Sequence, residues 1–215
     1  LDNMTLNRSN KNHIFNPPPC RVITLTIPTT NESNFKEIYQ VDPEYIPQAI
    51  QIAQLFQRAI NPTNLSFDFR RGLDIVDNDP RSMGIAGIQQ PVIHQNIRVS
   101  DMISQLKTLI ANYLEVNISN PDFWSGVEGA ITNTFTNLHS QTNAAWIFYY
   151  SEQSYQTSYY YNTLFAARIN GVMRGIVIAL DISVNIKKER VLWITTQDRA
   201  EYRVTLKGIH MIRLL

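Results

Sequence analysis

Cysteine is almost absent from this chain of 215 residues, which contains a single one, Cys20. One thiol cannot form an internal disulfide, so the fold does not depend on oxidation. Long apolar runs are absent as well, since none approaches the roughly 18 residues that a membrane-spanning helix needs. The N-terminus also lacks the cationic-then-apolar pattern of a signal peptide. The sequence therefore predicts neither a signal peptide nor a transmembrane helix.

Charged residues are sparse at 17%, and the formal net charge is only +1. The basic residues form no block, which argues against a nucleic-acid partner. The four histidines lie far apart, without metal-ligand spacing. The sequence contains no H-E-x-x-H motif, no G-x-S-x-G motif and no phosphate-binding glycine loop. We therefore expect no catalytic residues, no metal, no cofactor and no enzymatic activity.

One segment near the C-terminus has a strict alternation of residue types. Apolar side chains occupy every second position from Ile176 to Ile186, while the residues between them become polar at Asp181, Ser183 and Asn185. Successive side chains of a strand point to opposite faces, so this segment has one apolar face and one partly polar face. The pattern fits the core of a soluble sheet. It also fits a strand that crosses a bilayer, which needs about 9–11 residues.

The first two thirds of the chain have helical periodicity, and the last third has a period of two. Three- and four-residue spacing predicts helices within 43–60, 69–76, 100–114 and 121–138, arranged as two helical hairpins. Gly126 and Gly129, inside the last helix, are expected to permit close packing. Strands are predicted at 21–28, 145–150, 157–168, 172–186, 190–196 and 200–212, and a loop at 77–91. His210 shares a strand face with Leu206, so we expect a hydrogen-bonded core histidine.

These elements predict an α/β fold, with α+β order along the chain. Short connections between the later strands favour antiparallel pairing. We expect a single three-layer domain, in which an antiparallel sheet of about six strands is wrapped by two helical hairpins. Residues 1–20 form an N-terminal arm, and residues 21–215 form the domain.

Aromatic residues are concentrated at the start of the strand-forming region. Six of the ten tyrosines lie between Tyr149 and Tyr161, and Trp146 is just upstream. Tyrosine and tryptophan combine an apolar ring with a polar tip, so they favour membrane–water interfaces. The same residues also form sugar-stacking surfaces and half-buried sheet faces. Composition alone leaves the three interpretations open.

Several blocks of sequence are more specific than these patterns and indicate a protein family. The blocks ITNTFTNL (131–138), AWIFYY (145–150) and TSYYYNTLFA (157–166) occur in that order, after YIPQAIQIAQLFQRAINP (45–62) and before VLWITTQDRAEYRV (191–204). In order and spacing they resemble the Cyt family of cytolytic δ-endotoxins, the insecticidal crystal toxins of Bacillus thuringiensis. The resemblance covers about residues 20–215.

The resemblance implies a pore-forming or membrane-permeabilising toxin. Family members bind phospholipid membranes directly, self-associate into oligomers on the membrane after proteolysis, and lyse cells, including erythrocytes. They are made during sporulation and stored in parasporal crystal inclusions, from which they are released to act at the target cell membrane. Their protoxins can form a dimer through the N-terminal arm.

Four groups of residues follow as site hypotheses from these patterns and the resemblance. The lipid-facing row comprises Ile176, Ile178, Leu180, Ile182 and Val184. The interfacial anchors are Trp146, Tyr149, Tyr159 and Tyr161. The hairpin latch, which holds the second helical hairpin over the sheet, comprises Leu106, Ile110, Ile131 and Phe135. Arg8 and Lys11 are candidate cleavage sites. The alternative function is a non-lytic lipid- or carbohydrate-binding module that uses the tyrosine-rich strands.

Overall fold

The computed structural model describes residues 23–25, 33–116 and 120–215. The strands in these ranges are β1 Ile23–Leu25, β2 Lys36–Val41, β3 Ser82–Arg98, β4 Ile147–Gln153, β5 Gln156–Ile169, β6 Val172–Val184 and β7 Arg199–Arg213. The helices are α1 Ile46–Gln57, α2 Phe69–Asn78, α3 Val99–Tyr113, α4 Pro121–Asn133 and the short α5 Lys188–Val191. None of the helices in the described ranges is both long and apolar enough to cross a membrane.

The strands form one mixed sheet in the order β1-β2-β5-β6-β7-β3, and β4 pairs with β5 alongside β2. Strands β4 to β7 pair antiparallel, as the short connections predict. The connection between β5 and β6 is a two-residue turn in which Asn170 and Gly171 both have positive φ angles, of 54° and 79°. Such turns match the twist of antiparallel strands. The pair β2–β5 is parallel, so the sheet departs from the purely antiparallel expectation at this one edge.

The helices cover the sheet on both faces, which confirms the predicted three-layer α/β domain. Helices α1 and α2 pack on one face, against a cluster that includes Leu164, Val177 and Met211. Helices α3 and α4 pack on the other face, against a larger cluster from β5, β6 and β7. Alternate residues of β6 divide between the two clusters, as the period of two requires.

Helix starts follow from local sequence. The Asn120 side chain accepts a hydrogen bond from Phe123 N at 3.2 Å, and Pro121 occupies the first turn of α4. The Asp68 side chain likewise accepts from Arg71 N at 3.0 Å at the start of α2. Both residues satisfy a backbone N–H that has no partner within the helix. The predicted start of α4 at Asn120-Pro121 is therefore confirmed.

Two sequence predictions about the strands are wrong. Residues 77–91 do not form a loop, because most of them belong to α2 and to β3, a strand of 17 residues on the sheet edge. Proline and glycine residues weaken the strand pattern of β3, and the register with β7 shifts near Gly84 and Pro91. An edge strand tolerates both features. Residues 190–196 are not a strand either, since α5 and turns replace it.

Candidate functional site

The lipid-facing row is the most deeply buried part of β6. Its five residues are at most 1% exposed, and all belong to the cluster under α3 and α4. Neighbouring strands extend the same apolar surface, because Leu180 lies opposite Leu206 on β7 and opposite Tyr161 on β5. The apolar face thus spans three adjacent strands.

The hairpin latch lies directly over this surface. Leu106 and Ile110 of α3, Ile131 of α4 and Phe135 just after α4 are all 0% exposed and belong to the same cluster. The Phe135 ring meets the Tyr202 ring of β7 edge to face, with centroids 5.8 Å apart. The fold therefore brings the predicted row and the predicted latch together, as a sheet face and its cover.

The interfacial anchors fall into two groups. Trp146 and Tyr149 are half-buried, whereas Tyr159 and Tyr161 are 1% and 0% exposed. The Tyr159 hydroxyl donates to Thr134 O at 2.9 Å, and the Tyr161 hydroxyl donates to Gln141 Oε1 at 2.5 Å. In the closed fold these two tyrosines tie β5 to the segment that follows α4. An interfacial role for them remains a prediction about an opened state.

Burial raises the pKa of Tyr159 well above its ordinary value. Burial also raises the pKa of Tyr161, and it raises the pKa of Tyr149 to about 12. All three hydroxyls therefore remain protonated at any physiological pH and remain able to donate hydrogen bonds.

The α3–α4 hairpin is attached to the sheet in an asymmetric way. Helix α3 follows β3 directly at Arg98, beside the start of β7, and the chain returns from α4 to β4 near the start of β5. Both chain connections are thus at one end of the sheet. At the opposite end, Leu114 packs on β7, where a Cβ added to Gly208 would come 2.8 Å from Leu114 Cδ1.

His210 provides a polar tie at that opposite end. Its Nδ1 lies 2.6 Å from Leu114 O, and its Nε2 lies 3.4 Å from Arg174 Nη1. The ring is 1% exposed, which confirms the predicted hydrogen-bonded core histidine. Burial lowers the pKa of His210, and the nearby Arg174 charge lowers it further, against the opposing effects of the Leu114 carbonyl and the Glu115 charge.

This shift predicts a loss of stability in mild acid. The unfolded chain binds a proton at His210 near a pKa of about 6.5, whereas the folded chain resists protonation there. The contribution of His210 to the free energy of unfolding is therefore fully present above the unfolded pKa of about 6.5. Below that pH the free energy of unfolding falls by at most about 1.4 kcal/mol per pH unit. Urea unfolding at pH 8 to 5 should show a smaller acid loss for His210→Gln than for wild type. A difference between the two proteins that does not vary with pH would contradict this assignment.

The opposite face of β5, β6 and β7 is apolar at one end and polar at the other. Under α1 and α2 it is apolar, whereas toward the start of β5 it carries Ser158, Asp181 and Ser183. Burial raises the pKa of Asp181, although Lys207 Nζ lies 3.6 Å away and opposes the shift. This face is therefore half polar, in contrast to the apolar face under α3 and α4.

A polar cluster fastens the first helical hairpin to the sheet. Arg213 of β7 donates to Asp79 Oδ2 at 2.9 Å and to Gln51 Oε1 at 2.7 Å. Ser82 also donates to Asp79. The Arg213 guanidinium thus joins β7 to α1 and to the end of α2, and the Asp79 carboxylate extends the cluster to the edge strand β3. The candidate cleavage residues Arg8 and Lys11 lie outside the described residues.

The family described as Bacillus thuringiensis toxin matches residues 16–215 of this chain. The chain belongs to this toxin family. The Type-2Aa cytolytic delta-endotoxin of Bacillus thuringiensis subsp. kyushuensis is 39% identical over 200 residues, covering 92% of this chain and 77% of the relative. The Type-2Ba cytolytic delta-endotoxin of subsp. israelensis is 42% identical over 201 residues, covering 92% and 76% respectively.

Solved structures of cytolytic delta-endotoxins share the fold. The activated Cyt2Ba monomer from Bacillus thuringiensis subsp. israelensis matches with a TM-score of 0.82 at 41% identity, covering 85% of this chain and 99% of that chain. A second structure, a delta-endotoxin, matches with a TM-score of 0.85 at 38% identity, covering 93% and 89%. The resemblance seen in the sequence blocks and the predicted fold class are both confirmed.

Tyr159, Tyr161 and His210 were singled out from the sequence, but the partners through which they hold the toxin hairpin were not predicted. The ties made by Tyr159, Tyr161 and His210 depend on partners far away in sequence, so no local pattern indicates them. Gly126 was expected to permit close packing and does so, because a Cβ there would come 2.5 Å from the Phe165 ring. Gly129 was expected to do the same, but it has no neighbour within 4 Å of an added Cβ.

Proposed function

We propose that the chain is a non-enzymatic cytolytic toxin that binds phospholipid directly, oligomerises on the bilayer and permeabilises it after proteolytic activation. One observation carries the proposal: three adjacent antiparallel strands share an apolar face, and the α3–α4 hairpin packs over it. Strands β5, β6 and β7 contain 14, 13 and 15 residues. Each exceeds the roughly 9–11 residues that a membrane-spanning strand needs.

Opening of the hairpin would expose the lipid-facing row to acyl chains. The opposite face, with Ser158, Asp181 and Ser183, would then face water. A single sheet has unsatisfied backbone groups at its edges, which lipid cannot hydrogen-bond. The strands of several chains must therefore associate, so that permeabilisation requires a self-oligomer.

The remaining parts of the proposal rest on the family. The chain would be stored as a protoxin in a parasporal crystal inclusion, with a possible dimer through the N-terminal arm. Cleavage at Arg8 or Lys11 would then remove the first part of that arm. The toxin would act on the lipid bilayer itself, and it would require neither a nucleic acid nor a cofactor.

Dye release from phosphatidylcholine vesicles tests the proposed function. Vesicles without any protein receptor should leak when the toxin is added, and brief trypsin treatment should increase the rate. Vesicles treated with trypsin alone provide the control. Folded protein that neither binds nor releases dye, before or after trypsin, would contradict the proposal.

The alternative function, a non-lytic recognition module, is favoured by one feature of the tyrosine-rich strands. The rings of Tyr150 and Tyr160 stack with centroids 4.5 Å apart, and Tyr150 is 44% exposed. Such a surface suits a sugar ring or a lipid headgroup. This module predicts binding to vesicles or to glycans without dye release, so the same assay separates the two functions.

A further inference from the structure

One end of the sheet carries an open groove of about 620 Å³. The β4–β5 turn forms one wall, and the connection from β6 into α5 forms the other. Five residues at this end, here called the basic tip, define its chemistry: Tyr155, Lys187, Lys188, Arg190 and Trp193. Arg190 and Trp193 lie in the segment 190–196 that was predicted to be a strand, and none of the five was named as a site residue from the sequence.

Two aromatic side chains project from the basic tip. Tyr155 is 81% exposed and Trp193 is 66% exposed. The Trp193 indole stacks flat on the His139 ring, with centroids 4.1 Å apart and an interplanar angle of 6°. Trp193 N also donates to Arg190 O at 3.1 Å. The indole is therefore held in an exposed position, where burying it against an apolar phase would be favourable.

The cations of the basic tip surround the same groove. Lys187 and Arg190 are exposed, while Lys188 donates to Glu152 Oε1 at 2.8 Å and lies 4.3 Å from the centre of the Tyr149 ring. The nearby carboxylates are Glu152 and Glu189. Three cations against two carboxylates leave only a weak positive charge, so the cations can contact lipid phosphates without the tip depending on an anionic surface.

We propose that the basic tip is the surface by which the folded toxin first docks on a phosphatidylcholine bilayer. Tyr155 and Trp193 enter the headgroup layer, where amphipathic rings are favoured, and Lys187 and Arg190 contact lipid phosphates. This inference rests on the proposed membrane function and adds its first step.

The position of the tip agrees with such a step. Both chain connections of the α3–α4 hairpin are at this end of the sheet, next to Thr134 and Arg98. The contacts of Leu114 with Gly208 and His210 are at the far end. Docking by the tip would therefore place the hinge of the hairpin at the bilayer and leave its far end free to move.

A double substitution tests the docking surface. Tyr155→Ser with Trp193→Ala should lower the apparent affinity for phosphatidylcholine vesicles by roughly tenfold or more. The fraction of toxin that sediments with the vesicles measures this affinity. Dye release should also fall, while release compared at equal amounts of bound protein should match wild type. Tyr113→Ser is the matched control, because Tyr113 is 49% exposed but lies at the opposite end of α3. Circular dichroism and thermal melting establish that each variant is folded.

Two further measurements make the result independent of that double variant. Lys187→Gln with Arg190→Gln should also weaken vesicle binding. In a chain with Trp124→Phe and Trp146→Phe that has been shown to bind vesicles, Trp193 emission should be quenched by lipids brominated near the headgroup.

The outcomes separate the docking surface from the proposed function. One outcome would overturn the docking surface alone. In it, wild type releases dye from vesicles, both tip variants bind as the Tyr113→Ser control does, and Trp193 is not quenched. Wild type that neither binds nor leaks vesicles would overturn both proposals.

Discussion

A disulfide between positions 114 and 208 is expected to reduce dye release to background while leaving the protein folded. Leu114 follows the last residue of α3, and the site of a Cβ on Gly208 lies 2.8 Å from Leu114 Cδ1. Cysteine is shorter than leucine, so we expect Leu114→Cys with Gly208→Cys to remove this clash and to allow the two sulfurs to bond. The bond would fix the far end of the hairpin to β7, so the lipid-facing row would stay covered.

The experiment requires the Cys20→Ser background, so that the new pair is the only source of a disulfide. Reduction with dithiothreitol should restore dye release in the same sample, and the single Leu114→Cys variant should release dye in both conditions. Binding to vesicles should survive in the crosslinked protein, because docking precedes opening. Full dye release by protein whose crosslink has been verified by mass spectrometry would refute hairpin opening.

A second large effect is expected at Gly126, whose Cβ would come 2.5 Å from the Phe165 ring. Phe165 is 0% exposed and is held edge to face against Phe123 at 5.2 Å, so its ring has little room to move. Gly126→Ala should therefore push α4 away from the sheet. Overpacking of this kind costs about 1–3 kcal/mol, which more than offsets the better helix propensity of alanine. The melting temperature should fall by several degrees, and dye release should become faster.

Gly129 is the matched control in the same helix. It is exposed, and beyond its chain neighbours and the backbone of its own helix no heavy atom lies within 4 Å of an added Cβ. Gly129→Ala should raise stability by about 0.5–1 kcal/mol, because glycine is a poor helix former. Thermal unfolding of the two variants measures both effects. Equal melting temperatures would mean that the contact between α4 and Phe165 does not hold the hairpin closed.

The helices and central strands followed from local patterns. Three- and four-residue spacing identified α1 to α4, and the period of two identified β5, β6 and β7 to within two residues at each end. These patterns are strong because each element buries one continuous face, which the spacing of its own residues records. The grouping of the lipid-facing row with the hairpin latch followed from the same reasoning together with the family resemblance.

The edge strand and the connections of the fold were harder to predict from local sequence. Strand β3 has exposed polar residues, two register shifts and Pro91, so its alternation is weak. Its assignment as a strand depends on pairing with β7, more than a hundred residues later in sequence. The segment 190–196 alternates like a strand, yet it forms the end of α5 and the turns that lead toward β7.

By itself the sequence determined which faces of the helices and strands are apolar, and to which toxin family the chain belongs. Only the tertiary structure decided which of the aromatic residues are exposed. Tyr159 and Tyr161 are buried against the hairpin segment, whereas Tyr155 and Trp193 project into solvent. It also decided that both chain connections of the hairpin lie at one end of the sheet, while His210 ties the other end. The physical reason is that periodicity fixes the direction of a side chain relative to its own element, while its surroundings depend on partners distant in sequence.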